Sequence, residues 1–302
     1  MRKLALKKIV LKKITLIVGT LCCVPLTANS VEWFENNSPL TQAHQRLLNN
    51  DLENMFASLV EVWQLEHNKS IKNHLNDLLI QALSVDCGKG LDANPLPDWI
   101  SSINIRRLDI RSPGRDAYQV LVDAKSQKEI NSIQLTQWVD KPLSSDTTFS
   151  KITRDNVTSG AVSFIKRYNL NSKPDMGLYR LDISTSDRES WSTWVIFTES
   201  KAKQTVRWAS KDQWTVDKNA LLNRFCPLPK LGINVYDYVE GKYKEVWSKE
   251  YESDYPTMLE ATDLPPDRYI LAVSMTHLRW QGPISIEQSQ VISKTYDISV
   301  EE

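Results

Sequence analysis

Apolar residues recur along this chain at two different periods, and the change falls near residue 87. Before it the spacing is helical: Leu52, Phe56, Leu59 and Trp63 follow i, i+4, i+7 and i+11, one stripe of a helix. Ser38-Pro39 reads as an N-cap followed by proline at the first helical position, with a helix running to Leu48. Asn49-Asn50-Asp51 reads as a turn that places Asp51 to cap the second helix. Ser70 is placed to cap a third, whose inner face carries Ile71, Leu75, Leu78, Leu79 and Ala82. Beyond residue 87 the period falls to two, and Trp, Tyr, Thr and turn residues dominate. Alternating runs predict strands over 103–110, 118–122, 133–139, 161–168, 178–183, 194–197 and 205–208. A second set covers 232–239, 243–247, 258–261, 269–274, 284–287 and 294–298. Ser112-Pro113-Gly114-Arg115 is a turn between the first two. Asp217 is placed to cap a short helix over 217–225, and Pro227 and Pro229 follow it.

These elements predict an α+β multidomain chain. A helical domain (31–98) is followed by a first β-sandwich (99–216), a linker with a short helix (217–230) and a second β-sandwich (231–302). The helical spacing resembles one and a half tetratricopeptide-type repeats, with Ala43 and Leu47-Leu48 before the turn and Phe56 and Leu59 after it. The β region carries a short internal repeat. Pro174-Asp175 leads to Tyr179-x-Leu181-x-Ile183-Ser184, and Pro266-Asp267 leads to Tyr269-x-Leu271-x-Val273-Ser274. A turn followed by Tyr entering a strand resembles immunoglobulin-like sandwiches and suggests two in tandem; convergence on a common β pattern is the rival explanation.

The first thirty residues change the picture of charge and redox state. Arg2, Lys3, Lys7, Lys8, Lys12 and Lys13 precede an apolar run over 14–24, Pro25 breaks it, and Ala28-Asn29-Ser30 supplies small residues for cleavage. The run is shorter than the roughly 20 apolar residues of a spanning helix. This predicts a signal peptide (1–30), a periplasmic or secreted protein, and no stable membrane insertion after cleavage. Leu21 before Cys22-Cys23 argues against a lipid anchor. The whole chain has 37 basic and 37 acidic residues. Losing six basic residues and no acidic ones leaves a net charge of −6, which disfavours nucleic acid as a partner. Cys87 and Cys226 remain, and in an oxidising compartment they are expected to form a disulfide; two buried free thiols are the alternative.

Candidate chemistry is sparse. The sequence has no Gly-x-Ser-x-Gly elbow, no His-Glu-x-x-His and no phosphate-binding glycine loop. Ser163-x-x-Lys166 and Ser200-x-x-Lys203 have serine–lysine spacing but lie in or beside strands, where i and i+3 face opposite sides. No catalytic residues and no cofactor are expected. His44, His67, His74 and His277 are the only histidines, and His74 with Asp77 offers at most two ligands, so no metal site is expected. Ten tryptophans leave a choice between sandwich-core filler and sugar stacking. Trp191 and Trp280, each beside a turn, are the candidates for a glycan-binding surface. Arg106-Arg107, Arg111 and Arg115 form a basic cluster in which Arg107 and Arg111 share a strand face. That face suits an acidic partner or phosphate, or else is solvated and pairs with Asp109 and Asp116.

Several stretches together resemble an uncharacterised family of secreted periplasmic proteins from Vibrio and related marine bacteria. They are Trp33-Phe34-Glu35, Leu40-Thr41-Gln42-Ala43, Leu47-Leu48-Asn49-Asn50-Asp51-Leu52-Glu53, His74-Leu75-Asn76-Asp77, Val85-Asp86-Cys87-Gly88 and Ser112-Pro113-Gly114-Arg115-Asp116-Ala117-Tyr118. The resemblance implies an accessory to envelope sensing or signalling, and implies no activity or site residues. The expected function is a non-enzymatic adaptor that binds another envelope protein, with Trp33, Phe34, Trp63 and Arg107 as its partner surface. The alternatives are a module binding polysaccharide or peptidoglycan through Trp191 and Trp280, and a hydrolase without a recognisable motif.

Overall fold

The computed structural model describes residues 38–65, 68–152, 162–199, 201–260 and 263–298. The expected signal peptide lies outside them, as do Trp33, Phe34, His67 and Ser200. Three helices form where the spacing places them: α1 (Pro39–Leu48), α2 (Leu52–Leu65) and α3 (Lys69–Asp86). The Ser38 hydroxyl accepts the Thr41 N–H at the start of α1, and Asp51 Oδ1 accepts the Asn54 N–H at 3.3 Å at the start of α2. Asn68, not Ser70, caps α3 by accepting the Ser70 N–H at 2.8 Å. Cys87 closes α3 in the left-handed region, at φ 63°.

Strands follow almost without interruption. β1 (Ile100–Ser112) and β2 (Arg115–Ser126) flank the expected turn. Next come β3 (Ile130–Gln137), the two-residue β4 (Lys141–Pro142), β5 (Thr147–Ile152) and β6 (Val162–Leu170). β7 (Gly177–Thr185) and β8 (Ser190–Phe197) form a hairpin, as do β9 (Gln204–Trp208) and β10 (Trp214–Lys218). β11 (Lys230–Val239), β12 (Lys242–Tyr251), β13 (Arg268–Gln281) and β14 (Ile284–Asp297) complete the described chain.

The largest sheet has eight strands in the order β12-β11-β13-β14-β1-β2-β6-β5. Its neighbours are antiparallel except β14 and β1, which run parallel with Arg107 opposite Gln288 and Asp109 opposite Gln290. That one ladder joins the two β blocks of the sequence into a continuous sheet. β4-β3-β7-β8 forms a second sheet and β9-β10 a two-stranded third. The short helix expected over 217–225 is not formed. Asp217, read as its cap, lies in the β10 ladder opposite Thr205 and accepts Arg207 Nε at 2.8 Å. The strand expected over 258–261 reduces, among the described residues, to one bridge between Met258 and Gln213.

Burial divides the apolar residues among three cores. Ile103, Ile105, Val120, Val122, Phe164 and Ile286 of the large sheet pack against Ile133, Leu181, Ile183 and Phe197 of the second sheet. The helices bury Leu40, Leu59, Trp63, Leu75 and Leu79 together with Leu178 and Ile196 from β7 and β8. Leu231, Ile233, Leu271, Val273 and Ile292 pack with Val206 and Trp214 of the third sheet. Helices and sheets lie within one unit, Trp33–Glu302; the other unit, Met1–Glu32, lies outside the described residues.

Two sequence features are realised directly. Cys87 and Cys226 form a disulfide with a Cα–Cα distance of 5.1 Å, tying the end of α3 to the loop before β11. The repeated Tyr is also a repeated structure. Tyr179 donates its hydroxyl to Asp175 O at 2.7 Å, and Tyr269 donates to Pro265 O at 2.8 Å, in each case four residues upstream. Each ring thus anchors the turn that feeds its strand.

Candidate functional site

Inward alternation along the three central strands of the large sheet changes from apolar to polar and back. On β14 the inward row reads Ile284, Ile286, Gln288, Gln290 and Ile292. Opposite it β1 places Ile103, Ile105, Arg107, Asp109 and Arg111. On the other side β13 places Gln281, Arg279, His277, Met275 and Val273. Because strand side chains alternate strictly, these residues share one face. A polar belt therefore lies between the first and third cores.

Most of the belt serves the backbone that crosses over it. β8 is an edge strand of the second sheet, and the outward groups of its even-numbered residues need partners. Gln281, fully buried, accepts the Ile196 N–H at 3.0 Å and donates to Trp194 O at 2.6 Å. Arg279 Nη2 donates to Ile196 O at 2.8 Å, and Arg107 Nη1 to Thr198 O at 3.0 Å. Asn76 of α3 accepts the Glu199 N–H and donates to Glu199 O. Further along, His277 Nε2 accepts the Gln204 N–H at 3.2 Å, and the Gln290 carboxamide meets both the N–H and C=O of Val206 at 3.1 Å. Side chains here do the work of a neighbouring strand.

Beside this crossing the belt opens into a cleft of about 880 Å³, floored by Arg107, Asp109, His277, Gln288 and Gln290. Tyr118, Lys173, Lys201, Thr205, Asn219 and Arg111 stand around it. Arg107 is only 6% exposed, and its guanidinium lies 4.7 Å from the Phe197 ring centroid. Burial pulls its pKa down, and the charge of Glu199 partly offsets that. No described carboxylate lies within ion-pair distance of it, and its Nε is buried with no hydrogen-bond partner. Arg279 is also pulled down, first by burial and then by repulsion from Arg107. Both guanidinium groups nonetheless stay protonated at neutral pH. Asp109 is engaged at 3.5 Å by Arg111. Lys173 and Lys201 carry no ion pair to a described residue. The lining therefore holds four cations against Asp109 and Glu199. His277 is held neutral, its pKa lowered to about 4 by burial and then by Lys203.

The other sequence candidates are dispersed. Trp33 and Phe34 lie outside the described residues. Trp63, 4% exposed, belongs to the helical core. Trp191 is half-buried in a shallow groove of about 710 Å³ with Pro95, Leu96, Pro97 and Trp99, and its Nε1 donates to Pro95 O at 3.1 Å. Trp280 sits under the Lys89 ammonium, 4.7 Å from its ring centroid. Of the expected partner surface, Trp63 does not border the cleft and Arg107 does. Its companions Gln288, Gln290 and His277 gave no signal, because a polar residue at an inward position reads in sequence as an outward one. His44 and His74, remote in sequence, meet on the helices with Nε2 atoms 2.7 Å apart. No cluster of three metal-ligating side chains occurs among the described residues. No described helix is long and apolar enough to cross a membrane.

Comparisons with known proteins add the family and little else. No curated protein matches the chain. Among solved structures, the tandem Ig repeats of Dlar align with 65% of this chain and 97% of that chain, at 11% identity and a TM-score of 0.27, a likeness too low to carry an argument. The model of the family described as "Protein of unknown function (DUF2861)" matches residues 33–297, most of the sequence, and the chain belongs to that family.

Proposed function

We propose that this chain is a non-enzymatic binding protein of the periplasm, an adaptor that holds another envelope protein through the Arg107 cleft. One observation carries the reading: a buried arginine without a carboxylate partner lies on the floor of an open cleft with excess positive charge. An uncompensated buried charge is costly, and proteins keep such groups where a partner or ligand completes them. Much of the belt around it is hydrogen-bonded to the backbone that crosses it, which holds its shape before a partner arrives and lowers the cost of binding. The finer architecture we propose is a helical layer on tandem immunoglobulin-like sandwiches, a reading supported by the paired Tyr179 and Tyr269 turns.

The test is a photo-crosslinking residue at Tyr118, on the cleft wall, in the full-length protein in intact cells. A discrete protein adduct, lost when Arg107→Gln and Arg111→Gln are added, is the expected result. No adduct from Tyr118, with robust adducts from a control position on β12, would remove the cleft as the docking site. A glycan reading is favoured by the groove at Trp191, where an indole lies beside two prolines. Saturable quenching of Trp fluorescence by peptidoglycan fragments, abolished in Trp191→Ala, would move the function there.

A further inference from the structure

We infer that the group taken by the Arg107 cleft is a carboxylate, presented by an acidic segment of the partner chain. This rests on the reading that the cleft is the recognition site, and it names the chemistry recognised there. Arg107 Nη1 is committed to Thr198 O and its Nε is buried without a partner, so the guanidinium lines the cleft with its charge uncompensated. A carboxylate at the cleft face supplies the missing counter-charge. Lys173 and Lys201 are exposed on the rim and unpaired with any described residue, placed to meet further acidic side chains of the same segment. Between floor and rim, the Gln288 carboxamide and the Thr205 hydroxyl supply neutral donors, the hydroxyl being oriented by the Asn219 amide that donates to it at 3.1 Å.

Asp109 and Glu199 stand on the same lining as the cations, and Asp109 is already engaged by Arg111. The remaining cations are spread from the floor at Arg107 to the rim at Lys173 and Lys201, so singly charged groups spaced along a chain can meet all of them, where one compact anion meets only part of the set. The net charge of −6 expected for the mature chain makes this cleft a local exception, so an acidic partner is steered to it and repelled elsewhere.

The probe is a fluorescein-labelled hexaglutamate peptide, titrated by anisotropy against the full mature protein, with hexaglutamine as control and inorganic phosphate as competitor. Saturable binding of hexaglutamate alone is expected, weakened about tenfold or more in Arg107→Gln and weakening as salt is raised. Arg107→Gln also removes a bond to Thr198, so the paired variant Lys173→Gln/Lys201→Gln is measured beside it. That variant touches only the rim and should lose at least several-fold in affinity with an unchanged melting temperature. Hexaglutamate binding that survives both variants, or is matched by hexaglutamine, overturns the inference. Displacement by millimolar phosphate with tight phosphate binding overturns the carboxylate assignment and leaves the recognition site standing. No peptide binding, with the Tyr118 adduct still formed in cells, likewise overturns the carboxylate assignment alone; loss of the adduct as well removes the adaptor reading with it.

Discussion

The carboxamide of Gln281 stands in for a β-strand beside Ile196. Its oxygen accepts the Ile196 N–H at 3.0 Å while its nitrogen donates to Trp194 O at 2.6 Å, the two bonds a ladder neighbour would have made. Gln281→Leu keeps the bulk and removes both. A buried N–H and a buried C=O are left unpaired, at about 1–3 kcal/mol each. We expect a loss of about 3 kcal/mol, seen as a melting temperature lower by about 6–12 °C, with far-ultraviolet circular dichroism unchanged. A loss below about 1 kcal/mol would mean that water reaches the β8 edge and that the belt is not a closed seam.

The paired tyrosines should be separable from their rings. Tyr179 is fully buried and Tyr269 nearly so, and each hydroxyl serves the carbonyl four residues before it. Burial raises both phenol pKa values. Tyr179→Phe and Tyr269→Phe each retain the packing and lose one hydrogen bond, so each should cost about 1 kcal/mol in urea unfolding. Phe replacements without measurable effect would show that the repeat is a packing motif in which the turn closes by itself.

These two cases also show what could be read in the sequence. Tyr179 and Tyr269 were legible because their signal is local: a turn, an aromatic and alternation on one strand. The Cys87–Cys226 bond was legible because reading Cys22 and Cys23 as part of a signal peptide leaves two cysteines and one pairing. The belt was hidden because its polar side chains break the pattern by which strands are recognised. Alternation on β13 reads as ending at Ser274, yet the strand runs to Gln281, with His277, Arg279 and Gln281 continuing the inward row of Leu271, Val273 and Met275. Gln288 and Gln290 likewise divide β14 into two apparent strands, 284–287 and 294–298, where one continuous strand exists. The parallel pairing of β14 with β1 joins residues about 180 positions apart in a single ladder, for example Ile105 with Ile286, and no local pattern encodes it. Arg107 and Arg111 share one face, but whether that face is wet depends on the distant segment that crosses it, where Arg107 meets the Phe197 ring and Thr198 O.

The disulfide gives a third prediction. It spans a sequence separation of 139 residues, and in the chain-entropy model closing such a loop stabilises by about 5 kcal/mol. The ends are held by other contacts too: Trp280 N–H donates to Cys87 O and Gly282 N–H to Gly88 O, both at 2.9 Å. The fold should therefore survive reduction with a much lower denaturant midpoint. We expect the Cys87→Ser/Cys226→Ser protein to unfold cooperatively with several kcal/mol less stability. A molten chain without a cooperative transition would show that the bond is needed to form the structure as well as to stabilise it.

The last prediction concerns acid. His277 Nε2 accepts the Gln204 N–H at 3.2 Å, so its ring is neutral; protonation would set a donor against a donor. Burial, and then the charge of Lys203, lower its pKa to about 4 from the ordinary 6.5. The unfolded chain binds this proton below pH 6.5, whereas the folded protein does not until about pH 4. Stability is therefore complete above pH 6.5, declines as pH falls through that window, and has lost about 3 kcal/mol by pH 4, at 1.36 kcal/mol per unit. His44 acts in the same direction, its pKa lowered by burial and by His74. Paired carboxylates begin to lose stability only below about pH 5, so the interval from 6.5 to 5 isolates the histidines. His277→Gln keeps an acceptor for Gln204 and removes the titration. Urea midpoints measured at pH 7.5, 6.0 and 5.0 should fall for the parent and fall clearly less for the variant, which keeps only the contribution of His44. Parallel curves for the two proteins would place the acid sensitivity at His44 instead, and would show that water reaches the His277 side of the cleft floor.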